Sequence, residues 1–369
     1  MNQRIILTVT NDLTGDQRIH KVAMSLLKSG YTPVLAGRRL RGSQPLNRPY
    51  PCVRFRLPVR KGPLFYALFN IRLFCFLSFC RADRFLANDL DTLPAVFLAG
   101  RLRGKPVIYD SHEFFTEVPE LVGRPRTKRI WEAIESRIFP KLKRIYTVNE
   151  SIAAIYREKY GVEIGVIRNL PPEQRPEALK GFLPDSYSDH PLILYQGAVN
   201  IGRGLEQMIR AMNFLPDLRL VIVGDGDIRR DLSNLVRELT FEDRVWFAGR
   251  IPFENLAWYT GQATLGISLE QDIGLNYRYA LPNKLFDYMQ AGLPVLASDL
   301  QEIRRVVMEA DFGMLINRFD PEYLADVIRG MIQDRVRMEQ WHQNALKACP
   351  RYTWESQEST LLSLVSGLC

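Results

Sequence analysis

The chain has 369 residues, of which 46% are hydrophobic and 24% charged, and its formal net charge is +8. This length predicts two domains, and the composition excludes disordered and fibrous proteins because a substantial core can be buried. The charge is uneven: residues 1–170 hold 29 basic and 14 acidic side chains, against 20 basic and 27 acidic in 171–369. The basic first half predicts a polyanion or an anionic membrane surface as a neighbour. Nucleic acid is the competing partner, although no nucleic-acid-binding module is recognised, and a solvated basic face without a partner is the third alternative.

Cysteine usage predicts a protein of the reducing cytosol, because the five cysteines form neither CxxC pairs nor a disulfide framework. They are Cys52, Cys75, Cys80, Cys349 and Cys369. Residues 1–7 are too short and too strand-like for a signal peptide, so we expect a cytoplasmic location.

Short apolar runs alternate with longer amphipathic stretches, a pattern typical of β-α units around parallel sheets. Helices are predicted between the strands, for example over Gln17–Lys28 and Asp91–Leu102. The predicted strands of the first half are 4–10, 32–36, 84–88, 106–110 and 143–148.

The alternation stops at residues 173–190, which are rich in Pro, Glu, Asp and Ser and are predicted to form a linker. A second β-α series follows, and the sequence therefore predicts an α/β protein of two Rossmann-like, doubly wound domains facing a central cleft. Ligands of such sheets lie beyond the carboxyl ends of the strands. The predicted strands of the second half are 192–195, 218–223, 244–247, 263–268 and 294–297.

The segment Leu64–Cys80 reads LFYALFNIRLFCFLSFC and is shorter than the ~20 residues that a spanning helix needs. A core helix packed on the first sheet is the plainer interpretation. The alternative is a partly exposed helix in a membrane interface, assisted by basic neighbours. Those neighbours are Arg56, Arg60 and Lys61, and a second basic run holds Arg124, Arg126, Lys128 and Arg129.

Several common catalytic motifs are absent: the sequence contains no GxxxxGK[ST], no GxGxxG after the first strand, no HExxH and no GxSxG. Asp89-Leu90-Asp91 matches a DxD metal–nucleotide motif, but a strand end followed by a helix cap explains the same three residues. No metal site is predicted, because none of the four histidines has metal-ligand spacing with another. They are His20, His112, His190 and His342.

Two strand-to-helix turns in the second half are candidate anion sites. The first, Tyr195–Gly204, carries three glycines that allow close backbone approach, and Arg203 lies at the start of the following helix. The second lies in Glu270–Pro294, where Pro282 is predicted in the first turn of a helix.

In that second turn, Asn283 and Lys284 place an amide and an ammonium beside unpaired backbone N–H groups, which favours a diphosphate. Asp287 lies three residues after Lys284 on a neighbouring face, where its carboxylate can accept both hydroxyls of a ribose. The alternative is an amphipathic helix with a solvated Lys–Asp pair.

With these motifs, the sequence resembles the family-4 (group 1) retaining glycosyltransferases of the GT-B type over nearly its whole length. PNKLFDYMQAGLPVLAS at 282–298 resembles the donor-site helix of that family, usually written PxKxFEYMAxGxPVVAS. YDSHE at 109–113 is similar to the end of a central N-terminal strand. The run 148–171 is similar to the close of the N-terminal domain, and YTWESQE at 352–358 to a C-terminal helix that crosses back to it.

The resemblance implies domain limits. Residues 1–172 together with 352–369 would form the acceptor domain, and 191–351 the nucleotide-sugar donor domain.

The resemblance also implies roles for named residues. Arg203 and Lys284 would hold the diphosphate, and His112 would contact the transferred sugar, so these three are the candidate catalytic residues. Asp287 matches the ribose-binding carboxylate of the glutamate–seven–glutamate motif. The remaining candidates are Gly197, Gly274 and Asn283 for the donor, Arg250 and Ile251 for the nucleobase, and Asn11 and Gly15 for the acceptor.

Two positions depart from the family pattern. Tyr279 stands where the first motif glutamate is expected, and Glu270 or Asp272 are candidate substitutes. Ala198 stands where an arginine usually follows the turn glycine, and Arg278 is the candidate replacement.

The resemblance implies sugar transfer from a nucleotide-sugar with retained anomeric configuration, no cofactor and no obligatory metal. We expect cell-surface polysaccharide or lipopolysaccharide synthesis, with a glycan or polyprenyl-linked acceptor and peripheral contact at the inner membrane face. A nucleotide-sugar 2-epimerase on the same fold, or a binding protein with a degenerate donor pocket, are the alternatives.

Overall fold

The computed structural model describes residues 3–14, 16–43, 45–118, 121, 123–173 and 179–367, except for the side chain of Phe253. The chain divides into two compact units. Unit 1 comprises residues 1–169 and 357–369, and unit 2 comprises residues 170–356.

Unit 1 is built on a parallel seven-stranded sheet in the order β3-β2-β1-β4-β5-β6-β7. The first six strands have the 3-2-1-4-5-6 order of a doubly wound fold, which reverses between β1 and β4. Its strands are β1 (Arg4–Asp12), β2 (Thr32–Arg38), β3 (Cys52–Phe55), β4 (Arg84–Asn88), β5 (Val107–Ser111), β6 (Ile145–Thr147) and β7 (Gly165–Val166).

Helices of unit 1 begin and end at local sequence signals. Asp16 caps α1 by accepting from the backbone N–H of Ile19, and Gly104 ends α3 in the left-handed conformation. The helices are α1 (Gln17–Lys28), α2 (Pro63–Phe79), α3 (Leu93–Arg103), α4 (Pro125–Ile138) and α5 (Glu150–Tyr160).

The predicted strands of unit 1 are all present, whereas β3 and β7 were not predicted. β3 has the sequence CVRF and β7 has only two residues, so neither offers the apolar run on which the other strands were recognised.

Helix α2 has one buried side, as a core helix packed on the first sheet requires, and several exposed apolar side chains on its other side. Phe65, Phe69, Leu73 and Leu77 recur every four residues and are buried. On the other side Phe79 is 90% exposed, and Leu64 and Ile71 are exposed as well. Among the described residues, no helix is both long enough and apolar enough to cross a membrane.

Unit 2 repeats the same topology with a parallel six-stranded sheet in the order β10-β9-β8-β11-β12-β13, which reverses between β8 and β11. Two apolar clusters form its core. Two parallel sheets of this order confirm the predicted α/β class with two Rossmann-like folds. The strands are β8 (Leu192–Gln196), β9 (Arg219–Val223), β10 (Val245–Gly249), β11 (Leu265–Ser268), β12 (Val295–Ser298) and β13 (Gly313–Ile316).

Strand β13 was not predicted. Part of the predicted linker packs against the rest of unit 2. Residues 174–178 of that linker lie outside the described residues, but Tyr187 is buried and the backbone N–H of Phe182 donates to Tyr259 Oη over 3.1 Å. The helices are α6 (Leu205–Ala211), α7 (Arg229–Glu238), α8 (Phe253–Gln262), α9 (Leu275–Arg278), α10 (Lys284–Gln290), α11 (Gln301–Ala310), α12 (Pro321–Gln333) and α13 (Arg335–Ala348).

The last helix, α14 (Glu355–Ser366), belongs to unit 1 from residue 357 onward. Its side chains Leu361 and Val365 are buried, and Glu358 Oε1 accepts from Ser25 Oγ over 2.6 Å.

Candidate active site

Three strand-end turns of unit 2 meet backbone to backbone at the carboxyl edge of its sheet. The N–H of Gly197, after β8, donates to Val223 O over 2.9 Å, and the N–H of Gly224, after β9, donates to Gly249 O over 2.8 Å. A Cβ at Gly224 would lie 1.8 Å from the carbonyl oxygen of Gly197. Glycine is therefore required at Gly224 for the turns to approach one another.

The turn after β8 also packs on the turn after β11, so the two lie at the point where the strand order reverses. Gly202 O accepts from Gln271 N over 2.8 Å, and a Cβ at Gly204 would lie 2.6 Å from Leu269 O. This contact brings Arg203 beside Glu270. The switch point of an open α/β sheet is where ligands of this architecture bind.

Glu270 is a fully buried carboxylate that holds both predicted diphosphate cations. Its Oε1 accepts from Lys284 Nζ over 2.9 Å and from Arg203 Nη1 over 3.2 Å, while Oε2 accepts from Ser268 Oγ over 2.6 Å. Burial would raise the pKa of Glu270, but Lys284 and Arg203 outweigh it and hold the pKa below its usual value. Glu270 is thus ionised at neutral pH, and one anion faces two cations.

The two cations differ in exposure. Lys284 is 7% exposed, and its ammonium lies 4.0 Å from the centre of the Tyr195 ring, a cation–π contact. Arg203 is 25% exposed, and its Nε is a buried atom with no hydrogen-bond partner among the described residues. The excess positive charge and the unused N–H suit an anionic ligand.

Helix α10 begins at Lys284, two residues later than the predicted first turn at Pro282. Asn283 is exposed and makes no side-chain capping bond. Gly274, which precedes α9, is also exposed and has extended backbone.

Asp287 is held by a buried amide that sequence reasoning did not single out. Gln196, the last residue of β8, donates through Nε2 to Asp287 Oδ2 over 2.6 Å. Its Oε1 accepts from Thr260 Oγ1 over 3.0 Å, which fixes the orientation of the amide. The one signal in the sequence is the polar residue that ends the otherwise apolar strand LILYQ.

The candidate substitutes Glu270, Asp272 and Arg278 do not lie in one cluster. Arg278 Nε and Asp272 Oδ2 form an ion pair of 2.9 Å with side chains 51% and 40% exposed, and neither contributes to the Glu270 cluster. Of these three candidates, Glu270 is the one that contacts the predicted diphosphate cations. Arg250 and Ile251 follow directly after β10, and Arg250 is exposed.

A second polar cluster lies in unit 1, at the reversal of strand order between β1 and β4. His112 Nε2 is 2.9 Å from Asp89 Oδ2, and Asp89 has a φ of 59°, in the left-handed region that strains a non-glycine residue. Burial would lower the pKa of His112, but the charge of Asp89 outweighs it and raises the pKa to about 10. His112 is therefore an imidazolium at neutral pH, and its buried Nδ1 has no partner among the described residues.

The interpretation of the DxD sequence as a helix cap is wrong. Helix α3 is preceded by Thr92, which makes no side-chain capping bond. Asp91 is instead buried and accepts a short hydrogen bond from Thr10 Oγ1, 81 residues away in the chain. Burial and the charge of Asp89 raise the pKa of Asp91 to about 8. Of the two acceptor-side candidates, Asn11 is exposed in the last residues of β1, and Gly15 lies outside the described residues.

Comparison with known proteins gives consistent matches in both halves of the chain. The family model described as Glycosyltransferase Family 4 matches residues 16–170, and the model described as Glycosyl transferases group 1 matches residues 183–348. The D-inositol 3-phosphate glycosyltransferase of Xylanimonas cellulosilytica is 28% identical over 183 residues, covering 48% of this chain and 42% of that protein. The chain thus aligns with less than half of the length of this curated relative.

Solved structures match the fold over nearly the whole chain. Sucrose-phosphate synthase from Thermosynechococcus elongatus superposes with a TM-score of 0.81 at 19% identity, covering 100% of this chain and 99% of that one. Anabaena HepE in complex with UDP and glucose superposes with a TM-score of 0.74 at 15% identity, covering 99% and 100%. Because the two family models together match most of the chain in the order of its two domains, this protein belongs to the group 1, family 4 glycosyltransferases.

Proposed function

We propose that the protein transfers a sugar from a nucleoside-diphosphate sugar to an acceptor, with retention of the anomeric configuration. The observation that carries the proposal is the convergence of Arg203 and Lys284 on the buried carboxylate of Glu270 at the switch point of unit 2. The donor diphosphate would take the place of part of the Glu270 contacts, and the unused Nε of Arg203 would donate to it.

The chemistry follows from where charge develops. Breaking the bond between sugar and phosphate builds negative charge on the leaving diphosphate, and the two cations stabilise that charge. Loss of one such partner lowers the rate by about 10²–10³-fold. The carboxylate of Glu270 is buried and both of its oxygens are engaged by Lys284, Arg203 and Ser268. We therefore propose front-face attack by the acceptor hydroxyl, with its proton passing to the departing phosphate.

Other residues would bind and orient the ribose, the base and the transferred sugar of the donor. Asp287, held by Gln196, would accept the ribose hydroxyls, and Arg250 and Ile251 would adjoin the base. We propose His112 as a hydrogen-bond donor to the transferred sugar, because its Nδ1 carries a proton without a partner in the described part of the chain. No metal or other cofactor has a step in this mechanism.

UDP-sugars are the first donors to test, because Anabaena HepE was crystallised with UDP and with UDP-glucose. We propose a glycan or lipid-linked acceptor in cell-surface glycan synthesis. The exposed side of α2 supports a peripheral contact with an anionic membrane, since Leu64, Ile71 and Phe79 are exposed there together with Arg72.

The donor site is tested by thermal shift with UDP, GDP, ADP and CDP on the wild type, Lys284→Ala and the matched control Lys347→Ala. Lys347 is an exposed lysine of α13. A nucleotide at ~100 times its dissociation constant stabilises the folded state by about 2.7 kcal/mol. We expect one nucleotide to stabilise the wild type and the control but not Lys284→Ala. A shift of equal size in all three proteins would contradict the donor site.

Retention is tested by recording the product anomer by proton NMR during turnover with the corresponding nucleotide-sugar. We expect the anomeric configuration of the donor in the first product formed. An inverted product, or a covalent glycosyl–enzyme trapped with a fluorinated donor, would overturn the front-face mechanism.

A further inference from the structure

An arginine-rich pocket lies in unit 1, at the carboxyl ends of β2 and β3. The cavity has a volume of about 340 Å³. It is lined by five arginines, which come from the end of β2 and from the segments that follow β2 and β3: Arg38, Arg39, Arg41, Arg56 and Arg60.

The charge of this arginine pocket is not compensated from within. In the described part of the chain, none of the five guanidinium groups lies within ion-pair distance of a carboxylate. Four of the five are exposed. Arg38 is the fixed member: its Nη1 donates to Arg60 O over 3.0 Å, its guanidinium lies 4.6 Å from the centre of the Phe65 ring, and its buried Nε has no hydrogen-bond partner among the described residues.

The carboxylate of Asp12, beside the pocket, is already engaged. Asp12 pairs in register with Arg38 across β1 and β2, but its oxygens accept from Arg54 Nη2 over 3.1 Å, from Leu40 N over 3.2 Å and from the hydroxyl of Ser43. Burial would raise the pKa of Asp12, but these hydrogen bonds lower it below its usual value. Asp12 is therefore ionised, and both of its oxygens already accept hydrogen bonds. Five like charges around one cavity repel one another unless an anion lies between them.

The chemistry of the pocket selects phosphate. One guanidinium group can donate two parallel hydrogen bonds to the oxygens of a phosphate. Several guanidinium groups around one cavity therefore suit a dianion or a diphosphate better than a single carboxylate. The position is equally informative, because ligands of parallel sheets lie at the carboxyl ends of the strands. The pocket lies beside the end of β1, where Asn11 is the acceptor-side candidate.

We propose that the arginine pocket binds the phosphate or diphosphate group of the glycosyl acceptor. This inference rests on the proposed function, and it adds that the acceptor is itself phosphorylated. The phosphate can belong to a sugar phosphate in solution or to a lipid-linked phosphate at a membrane surface, and both sources present the same group to the arginines.

The test compares two double variants of equal charge. Arg39→Gln/Arg56→Gln removes two exposed pocket arginines, and Arg81→Gln/Arg137→Gln removes two exposed arginines elsewhere in unit 1. Binding of inorganic pyrophosphate is measured by calorimetry with and without UDP, so that binding to the cations of unit 2 is identified by its loss when UDP is present. Melting curves establish that both variants are folded. We expect the pocket variant to bind pyrophosphate at least ~10-fold more weakly than the control, since each lost charge-assisted hydrogen bond costs on the order of tenfold.

The source of the phosphate is read from two further probes on the same proteins: a sugar 1-phosphate, and a prenyl diphosphate in neutral phosphatidylcholine vesicles. If the control binds one of these probes and the pocket variant does not, the result supports the proposal, and that probe identifies the source of the phosphate. Equal affinities of the two variants for every probe would overturn it. Phosphatidylglycerol vesicles without prenyl diphosphate serve as a control for diffuse surface charge. If the proteins bind only these vesicles, and both variants bind them equally weakly, the proposal is overturned.

Measuring UDP binding by the same proteins distinguishes a failure of the proposed donor site from a failure of the proposed arginine pocket. Retained UDP affinity with lost pyrophosphate affinity supports the arginine pocket. A wild type that binds no nucleotide contradicts the donor site, whatever the two double variants show.

Discussion

Replacing Glu270 by glutamine should destabilise the protein strongly, and UDP should restore much of the loss. Glu270 is the buried carboxylate that accepts from Lys284 and Arg203, at 2.9 and 3.2 Å. The amide keeps the size of the side chain but leaves two cations without a negative partner. Removing one member of a buried ion pair costs about 3–5 kcal/mol. The lower end is expected here, since Arg203 is partly exposed and Lys284 keeps its contact with the Tyr195 ring.

The assay is urea unfolding of the wild type and Glu270→Gln with and without saturating UDP. The UDP diphosphate supplies the negative charge that the variant lacks, so UDP should stabilise Glu270→Gln more than the wild type. Asp272→Asn is the matched control, because it removes a carboxylate from the same loop. Asp272 pairs with Arg278 in an exposed position, where a loss of at most about 1 kcal/mol is expected.

The pH dependence provides a second readout of the same contact. Because its neighbours hold the pKa of Glu270 below the ordinary value of 4.5, its contribution is complete at neutral pH and is lost as the pH falls below about 4.5. The stability difference between the wild type and Glu270→Gln should therefore shrink on acidification. A loss below about 1 kcal/mol at neutral pH, or a loss that UDP leaves unchanged, would refute the reasoning.

Three further predictions test the glycine turns, the buried acid of unit 1 and the amide beside Asp287. Gly224→Ala should cost about 2–4 kcal/mol in urea unfolding because its Cβ meets a backbone carbonyl, whereas Gly330→Ala has open space; equal values would contradict the close approach. Asp91 has a raised pKa of about 8, so it opposes folding increasingly between pH 4 and 8. Asp91→Asn should flatten the pH dependence of unfolding over that range, and parallel profiles would exclude this assignment. Gln196→Met should weaken UDP binding and reduce the preference for UDP over 2′-deoxy-UDP in calorimetry, because Asp287 loses its anchor; an unchanged preference would show that Asp287 does not bind the ribose.

The chain order of apolar and amphipathic segments determined most of the fold. Buried strands of a parallel sheet read as continuous apolar runs, and helices read with a period of 3.6, so both are visible within a window of about ten residues. The strands that escaped prediction are β3, β7 and β13, which are short or interrupted by charged side chains, as Arg54 interrupts β3. The same local logic located the turns that carry Arg203 and Lys284.

Which side chains meet at those turns was decided only by the tertiary structure. Glu270 and Asp272 are equivalent in the sequence, yet the direction of the loop after β11 buries one beside Lys284 and leaves the other exposed. Strand order likewise sets Thr10 against Asp91, across 81 residues. These contacts depend on sheet order, loop direction and burial, and none of the three is encoded within the few residues over which a sequence pattern is read. The periodic segments of the sequence thus determined the two sheets, and long-range packing determined the charge network at their edges.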